Sequence, residues 1–293
     1  MLSLLLAAAA LSPQAASPPP AASAPALPVS LSDRLREGRN GWEQAIQRGD
    51  GSFVRRSIET LLDREGTGVN SSDYNEMHAM VALRNLAAQA CVVEGAWEDG
   101  VGHLQKAAAG AAENASNAEQ TLARLRRQHQ DKLAEWKEGV AKQEQRLKDL
   151  EAQPGLTEAQ MRTRNQVRAY LEEHRNAMAH SERALRSMDD ILVQLRLDQE
   201  TYGKSLAEWH GFLAKEKLEI AQAQGQAAYV TGKLAQVKAD DARPRFERLA
   251  YGRRLLRLDP GNADAKRFVN GLLGIEDETE KPKPPKRKSQ PKK

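Results

Sequence analysis

The 293-residue chain contains a single cysteine, Cys91. One thiol cannot close a disulfide within the chain, and no Cys/His cluster shows zinc-ligand spacing, which excludes a disulfide framework and a zinc-stapled fold. Cys91 lies in the apolar stretch Ala87-Ala-Gln-Ala-Cys-Val-Val93, where a small buried side chain is expected, not a reactive thiol. Aromatic residues make up only 4%. That is too few large rings for a rounded core of this length, and it suits long helices meeting along thin apolar seams. No apolar run reaches the roughly 20 residues that span a bilayer. Catalytic signatures are missing as well: there is no His-Glu-x-x-His, no glycine-rich phosphate loop and no Gly-x-Ser-x-Gly. His174 and His180 are six apart and do not share a helical face well, and Asp189-Asp190 reads as a solvated patch. The expectation is a protein with no catalytic residues, no bound metal and no cofactor.

Charge is plentiful but uneven. The net charge is +4, yet Lys281, Lys283, Lys286, Arg287, Lys288, Lys292 and Lys293 crowd the last 13 residues with no acid among them. Setting those seven aside leaves −3 for the remainder, so the basic character belongs to the tail. Residues 276–293 are proline-rich and lack core formers, and are expected to be disordered. Such a tail can hold nucleic acid, acidic lipid headgroups or another anionic polymer; without interleaved aromatics, base stacking is not implied.

The start reads as an export leader, residues 1–24: a ten-residue largely apolar run, Leu2 to Leu11, then a Pro/Ala/Ser-rich stretch with small residues suited to cleavage. No Lys or Arg precedes that run, so a disordered leader on a cytoplasmic protein is the alternative. Residues 25–30 form a linker.

From Leu31 onward strong helix formers dominate, so the fold class is all-α. Two short helices are expected up to Arg64, separated by Gly49-Asp50-Gly51. Trp42, Ala45 and Ile46 supply one apolar face, and Phe53, Ile58, Leu61 and Leu62 the other. Asp73 with Glu76 forms a capping box for a helix that Gly95 ends. From Val167 to Val237, 21 positions spaced alternately four and three apart include 17 apolar residues. A heptad seam sustained that far marks a coiled coil. A matching seam runs from Trp97 to His129, then shifts phase by four to Leu133, Trp136, Val140 and onward to Leu150, a stutter that unwinds the supercoil locally.

Pro154-Gly155 breaks the helix between the two seams. Folding back there opposes residues whose numbers add to about 310: Trp97 with Leu213, Val101 with Trp209, Ala108 with Tyr202, Leu122 with Met188. The polar seam residues His129 and Ser181 coincide too, as a layer that fixes register. The expected architecture is a helical base at 31–96 and 215–275, with a long antiparallel coiled-coil hairpin at 97–214 turning at 153–156. The last part of the return helix, about Lys215 to Asp240, then needs partners from the helix at 73–94 and the final pair near 243–273.

Ala88, Gly95, Trp97, Leu104 and Ala107, together with Leu255-Leu-Arg-Leu-Asp-Pro-Gly-Asn262 and the helix from Ala263, resemble tetratricopeptide repeats over about residues 76–108 and 230–273. Gly100 and Arg84 depart from the usual alanine and aromatic. The resemblance implies helix pairs with a concave groove for a partner's peptide, and places Asn85, Gln89 and Val92 on that groove; packing against the N-terminal helices is the alternative for those three. The functional expectation is a non-enzymatic interaction or scaffold protein, exported to a periplasm or cell envelope. It would bind a protein partner through base or hairpin and possess the capacity to self-associate. Two alternatives are a cytoplasmic nucleic-acid-associated coiled-coil protein and a chaperone-like hairpin that grips clients.

Overall fold

The computed structural model describes residues 30–70 and 73–275. The leader and the basic tail lie outside the described residues, as does all of the linker but Ser30. The described chain is all-α: α1 Leu31–Arg48, α2 Gly51–Glu65, a 3₁₀ turn Gly66–Gly68, α3 Tyr74–Val93, α4 Trp97–Glu151, α5 Glu158–Gln222, α6 Gln226–Ala239, α7 Arg245–Leu258 and α8 Ala263–Leu273. It divides into two compact units, one drawn from Met1–Thr67, Ala82–Lys106 and Ser205–Lys293, the other from Gly68–Val81 and Ala107–Lys204. The hairpin segment expected at 97–214 is thus shared, its first and last stretches belonging to the base unit.

In the base unit, Ser30 caps α1 by accepting the Asp33 N–H (3.1 Å), and Asp50 caps α2 by accepting that of Phe53 (3.3 Å). α1 buries Leu31, Leu35, Ala45 and Ile46. α2 buries Val54, Ile58 and Leu62, while Phe53 is 51% exposed. Ile58 and Leu62 are buried as expected, and Val54 takes the buried place expected of Phe53. Gly51 explains that exchange: a Cβ there would lie 2.4 Å from the Ala90 carbonyl, so the first turn presses on α3 and Val54, three residues on, follows it inward.

The seam read as continuous to Val237 is interrupted. α5 stops at Gln222, and Gln224 and Gly225 take φ of +60° and +134°. Glycine reaches that second angle without the steric cost other residues meet. α6 then begins afresh, and Tyr229, Val230 and Leu234 bury themselves with Leu255 of α7 and Ala265 of α8, against Ile220 and Ala223. The apolar spacing survives the break because both sides feed one cluster, which is why spacing alone does not reveal it.

α7 ties the unit together through arginines. Arg253 Nη1 donates to the carbonyls of Gly49 (2.6 Å) and Val93 (3.2 Å) and to Glu94 Oε1 (2.7 Å); Arg257 Nε donates to the Glu94 carbonyl (3.1 Å). These cations satisfy carbonyls that the ends of α1 and α3 leave open, where the helix dipoles favour positive charge. Gly95, at φ +72°, makes room: a Cβ would sit 2.5 Å from the Arg254 backbone nitrogen.

In the second unit, α4 and α5 run antiparallel either side of the turn at 152–157. Thr157 and Gln160 form a reciprocal capping box, with Gln160 N–H donating to Thr157 Oγ1 (3.3 Å) and Thr157 N–H to Gln160 Oε1 (2.8 Å). His129 Nδ1 lies 3.2 Å from Ser181 Oγ, and Ser181 is 2% exposed. Val140, Val167 and Leu171 bury together with Leu147 and Met178 alongside. Arg196–Glu119, Arg175–Glu144 and Arg168–Glu151 pair across the helices at 2.7, 2.5 and 2.5 Å.

One expectation about packing is corrected. The first turns of α3 do not serve as a partner for the end of α5; they belong to this second unit, where Val81 buries against Ala107, Ala111 and Tyr202. The small residues at 107–111 are the cause. A Cβ at Gly110 would meet Val81 Cγ2 at 3.1 Å, so this stretch of α4 accommodates a third helix as well as α5. Tyr202 packs against the same cluster.

Candidate functional site

The sequence-derived site residues fall in three places. Asn85, Gln89 and Val92 are 3%, 2% and 3% exposed, in the interior of the base unit. They line no open groove, which corrects the expectation that a partner peptide reaches them. The α3 face that carries them is covered, with Gly51 of α2 at Ala90 and Gly100 of α4 against Ala88 and Val92. His129 and Ser181 meet in the hairpin as described. The basic residues from Lys281 to Lys293 lie outside the described residues.

Four groups that invite chemistry resolve into structure. Cys91 is fully buried and its thiol is pushed up to about 12, chiefly by burial. His103 is 8% exposed with Nε2 3.1 Å from Glu59 Oε1, a carboxylate that Arg55 also holds at 3.0 Å. Burial keeps its imidazole below the usual histidine range against the pull of Glu59, so the ring is a neutral link between α2 and α4. His174 stacks on Tyr170 at 3.7 Å and its Nδ1 lies 2.9 Å from that residue's carbonyl, while Asp189 pairs with Arg126. Among the described residues no group of three His, Cys, Asp or Glu side chains could hold a metal ion, and no helix is long and apolar enough to cross a membrane.

A buried charge cluster was not anticipated. Arg254, 5% exposed, donates to Glu216 (Nη2–Oε2 2.5 Å) and to Glu98 (Nη2–Oε1 2.5 Å, Nη1–Oε2 2.6 Å), and Glu216 is itself 3% exposed. Burial opposes the charge on Arg254, but the hydrogen bonds to Glu98 and Glu216 outweigh it and hold the guanidinium firmly protonated. The same bonds hold the Glu98 carboxyl below the usual range. The guanidinium stands 5.1 Å over the Trp97 ring, which packs edge-on to Trp209 and Tyr251. Arg254 bonds to both carboxylates, which makes the cluster a clamp on α4, α5 and α7. Glu216 left a signal: it is a charged residue at a seam position.

An open concave surface of the base unit lies elsewhere, between α1 and α2. Arg34, Glu37, Gly38, Trp42, Ser57, Thr60, Leu61, Arg64 and Glu65 line a cleft of about 480 Å³. Both helices bury their opposite faces, so the cleft is what their outer faces leave. Trp42 is half-buried, and its ring lies over Gly38, where a Cβ would come within 2.6 Å of it. Gly41 next door meets nothing within 4 Å, so the contact is specific to one position. Arg34 pairs loosely with Glu65 at 3.8 Å, whereas Arg64 and Glu37 make no ion pair among the described residues. The result is an aromatic wall with two hydroxyls, two cations and two anions around it, one cation and one anion of which are the Arg34–Glu65 pair. Sequence reading placed Trp42 on an apolar face with Ala45 and Ile46; those two are buried and Trp42 looks out at the rim.

Compared with protein-family models, with curated proteins and with solved structures, the chain matches none.

Proposed function

We propose that this chain is a non-enzymatic interaction or scaffold protein whose helical base receives a partner protein in the Trp42 cleft. The observation that carries the reading is a half-open tryptophan in a preformed concavity, edged by Ser57, Thr60, Arg64 and Glu37. A tryptophan in a pocket ringed by polar groups is the arrangement that anchors protein interfaces, because the ring brings large contact area at low entropic cost and the rim excludes water. The cleft suits a peptide segment offering an apolar side chain to the ring and a carboxylate to Arg64. The likeness to tetratricopeptide repeats supports the same class. α8 starts at Ala263, where the resemblance puts the next helix, with Asn262 Oδ1 accepting the Ala265 N–H at 2.9 Å. Export of the chain and anion binding by its tail belong to this proposal as well.

A photo-crosslinking residue in place of Thr60, in the full chain expressed in its native cell, is expected to give one discrete protein adduct. The same residue in place of Lys266 on α8 gives none. Once that partner is purified, Trp42→Ala is expected to weaken binding by about 30-fold or more, the scale of an interface anchor, with the thermal unfolding of the chain unchanged. Gly38→Ala, which evicts the ring from its seat, lowers affinity in the same direction. No adduct at Thr60, or affinity indifferent to Trp42, contradicts the proposal.

A further inference from the structure

In the second unit, the α4 face that receives α3 continues beyond the cover α3 gives it. Ala107 and Ala111 meet Val81 of α3, and Asn114, Ala118 and Thr121 follow on the same face by threes and fours. α3 starts at Tyr74, so only its first residue reaches that continuation. There Tyr74, Asn114, Asn117 and Thr121, together with Leu122 and with Ile191 of α5, line a pocket of about 110 Å³. Asn114 is the observation that points to a ligand. Two polar side chains are buried among the described residues of this unit, and the other, Ser181, has His129 as its partner. Asn114 is 2% exposed, and its carboxamide makes no hydrogen bond among the described residues. An amide hidden from bulk water without a partner is costly, and a group bound in the pocket would complete it.

The lining selects the occupant by its chemistry. No lining residue is charged, so a carboxylate, phosphate or ammonium would lose its hydration with no counter-ion. Asn114 offers an acceptor and two donors in one plane, and the group that matches both is another amide, paired through two hydrogen bonds. Tyr74 is held ready beside it. Its ring stacks on His78 with centroids 6.1 Å apart, and His78 Nδ1 lies 3.4 Å from Asp198 Oδ2. Burial, and then Asp198, hold the phenol above the usual tyrosine range, so it stays an O–H that can donate. Ala118, Leu122 and Ile191 call for an apolar stem. The pocket is smaller than the roughly 150 Å³ cavity that takes a benzene ring, which keeps that stem to a few carbons.

We infer that this pocket binds an uncharged carboxamide on a short apolar stem, with Asn114 paired to the amide and Tyr74 donating to its carbonyl oxygen. That group occurs on free small amides and on the side chain of glutamine. The Trp42 cleft belongs to the other unit, so failure of either reading leaves the other standing.

Propionamide, which carries the same carboxamide and stem as glutamine, is the probe. Titrated into the full chain, it is expected to shift the Asn114 side-chain resonances and the backbone amides of Asn117 and Thr121 saturably. The Kd falls in the millimolar range open to so small a molecule. Propionate, of the same shape, binds about tenfold more weakly or less. Read at the backbone amides, Asn114→Leu weakens propionamide by about tenfold or more and Tyr74→Phe by about threefold, the scale of two hydrogen bonds and of one. Asn114→Leu also leaves the melting temperature at or above that of the parent, because it breaks no hydrogen bond inside the chain. A blocked tripeptide with a central glutamine, compared with its glutamate counterpart, separates the sources: saturation by the glutamine peptide alone assigns the site to a protein side chain, and saturation by propionamide without either peptide assigns it to a free amide. The inference is overturned if propionamide and propionate bind alike, if no saturable shift appears and the pocket holds water only, or if Asn114→Leu lowers the melting temperature.

Discussion

Glu216→Ala is expected to cost the base unit about 3–5 kcal/mol, because it strands a buried guanidinium. Arg254 is 7% exposed at its side chain and has moved its charge out of water; Glu216, at 3%, is the partner that makes this tolerable. Arg254→Ala falls in the same range, since it leaves the Glu216 carboxylate buried with no cation. The third member behaves differently. Glu98 is 57% exposed at its side chain, so Glu98→Gln costs under about 1 kcal/mol after solvent screening. Its carboxyl sits below the usual range, so the stability it contributes is present at neutral pH and fades as acid protonates it. A double variant, Arg254→Met with Glu216→Leu, removes both charges together and recovers most of the loss, since packed apolar side chains of similar volume replace a buried pair at little cost. Urea unfolding of the four variants separates these outcomes. Equal, small losses for Glu216→Ala and Glu98→Gln would show that the interior of the cluster is wetter than its burial states.

Trp97→Ala is expected to cost a comparable 3–5 kcal/mol, for a different reason. Trp97 is 1% exposed and forms the centre of a ring cluster, with Trp209, Phe212 and Tyr251 at centroid distances of 5.9, 5.1 and 5.3 Å. Its truncation opens a cavity between helices that the arginine bonds to Gly49, Val93 and Glu94 hold in place, so the site cannot collapse to fill it. Trp97→Phe keeps the ring stack but loses the Nε1–H donated to the Val92 carbonyl (3.1 Å) and part of the attraction to Arg254. That change costs about 1–2 kcal/mol. Chemical denaturation followed by far-ultraviolet dichroism checks both. A loss below about 1 kcal/mol for Trp97→Ala would mean the cluster is not the unit's packing centre.

The elements most legible in the sequence were those specified locally and repeatedly. The heptad seams, the break at Pro154-Gly155 and the caps at Asp73 and Thr157 each follow from a few neighbouring residues. Two seams read separately predicted that His129 faces Ser181, and a single hydrogen bond places them together. Illegible features depended on a third body. The alanines at 107–111 read as partners for large residues on the facing helix, yet they also admit the start of α3, and no periodicity reports a second neighbour. The turn at Gln224-Gly225 hides because apolar spacing continues across it. The resemblance to tetratricopeptide repeats puts Asn85 and Gln89 on a groove, but their burial is decided by where Gly51 and Gly100 allow α2 and α4 to approach. For the cleft, Trp42 was visible as an apolar position; its half-open pose depends on Gly38, one turn earlier, whose small size reads in sequence only as a poor helix former.

The most direct test of the architecture is a pair of cysteines at the register layer, His129→Cys with Ser181→Cys, in a Cys91→Ala background under mild oxidation. The antiparallel hairpin predicts a disulfide within one chain, seen as a monomer of altered electrophoretic mobility that reduction reverses, and independent of protein concentration. A bond formed only between chains would contradict the hairpin and make the two seams halves of an intermolecular coiled coil.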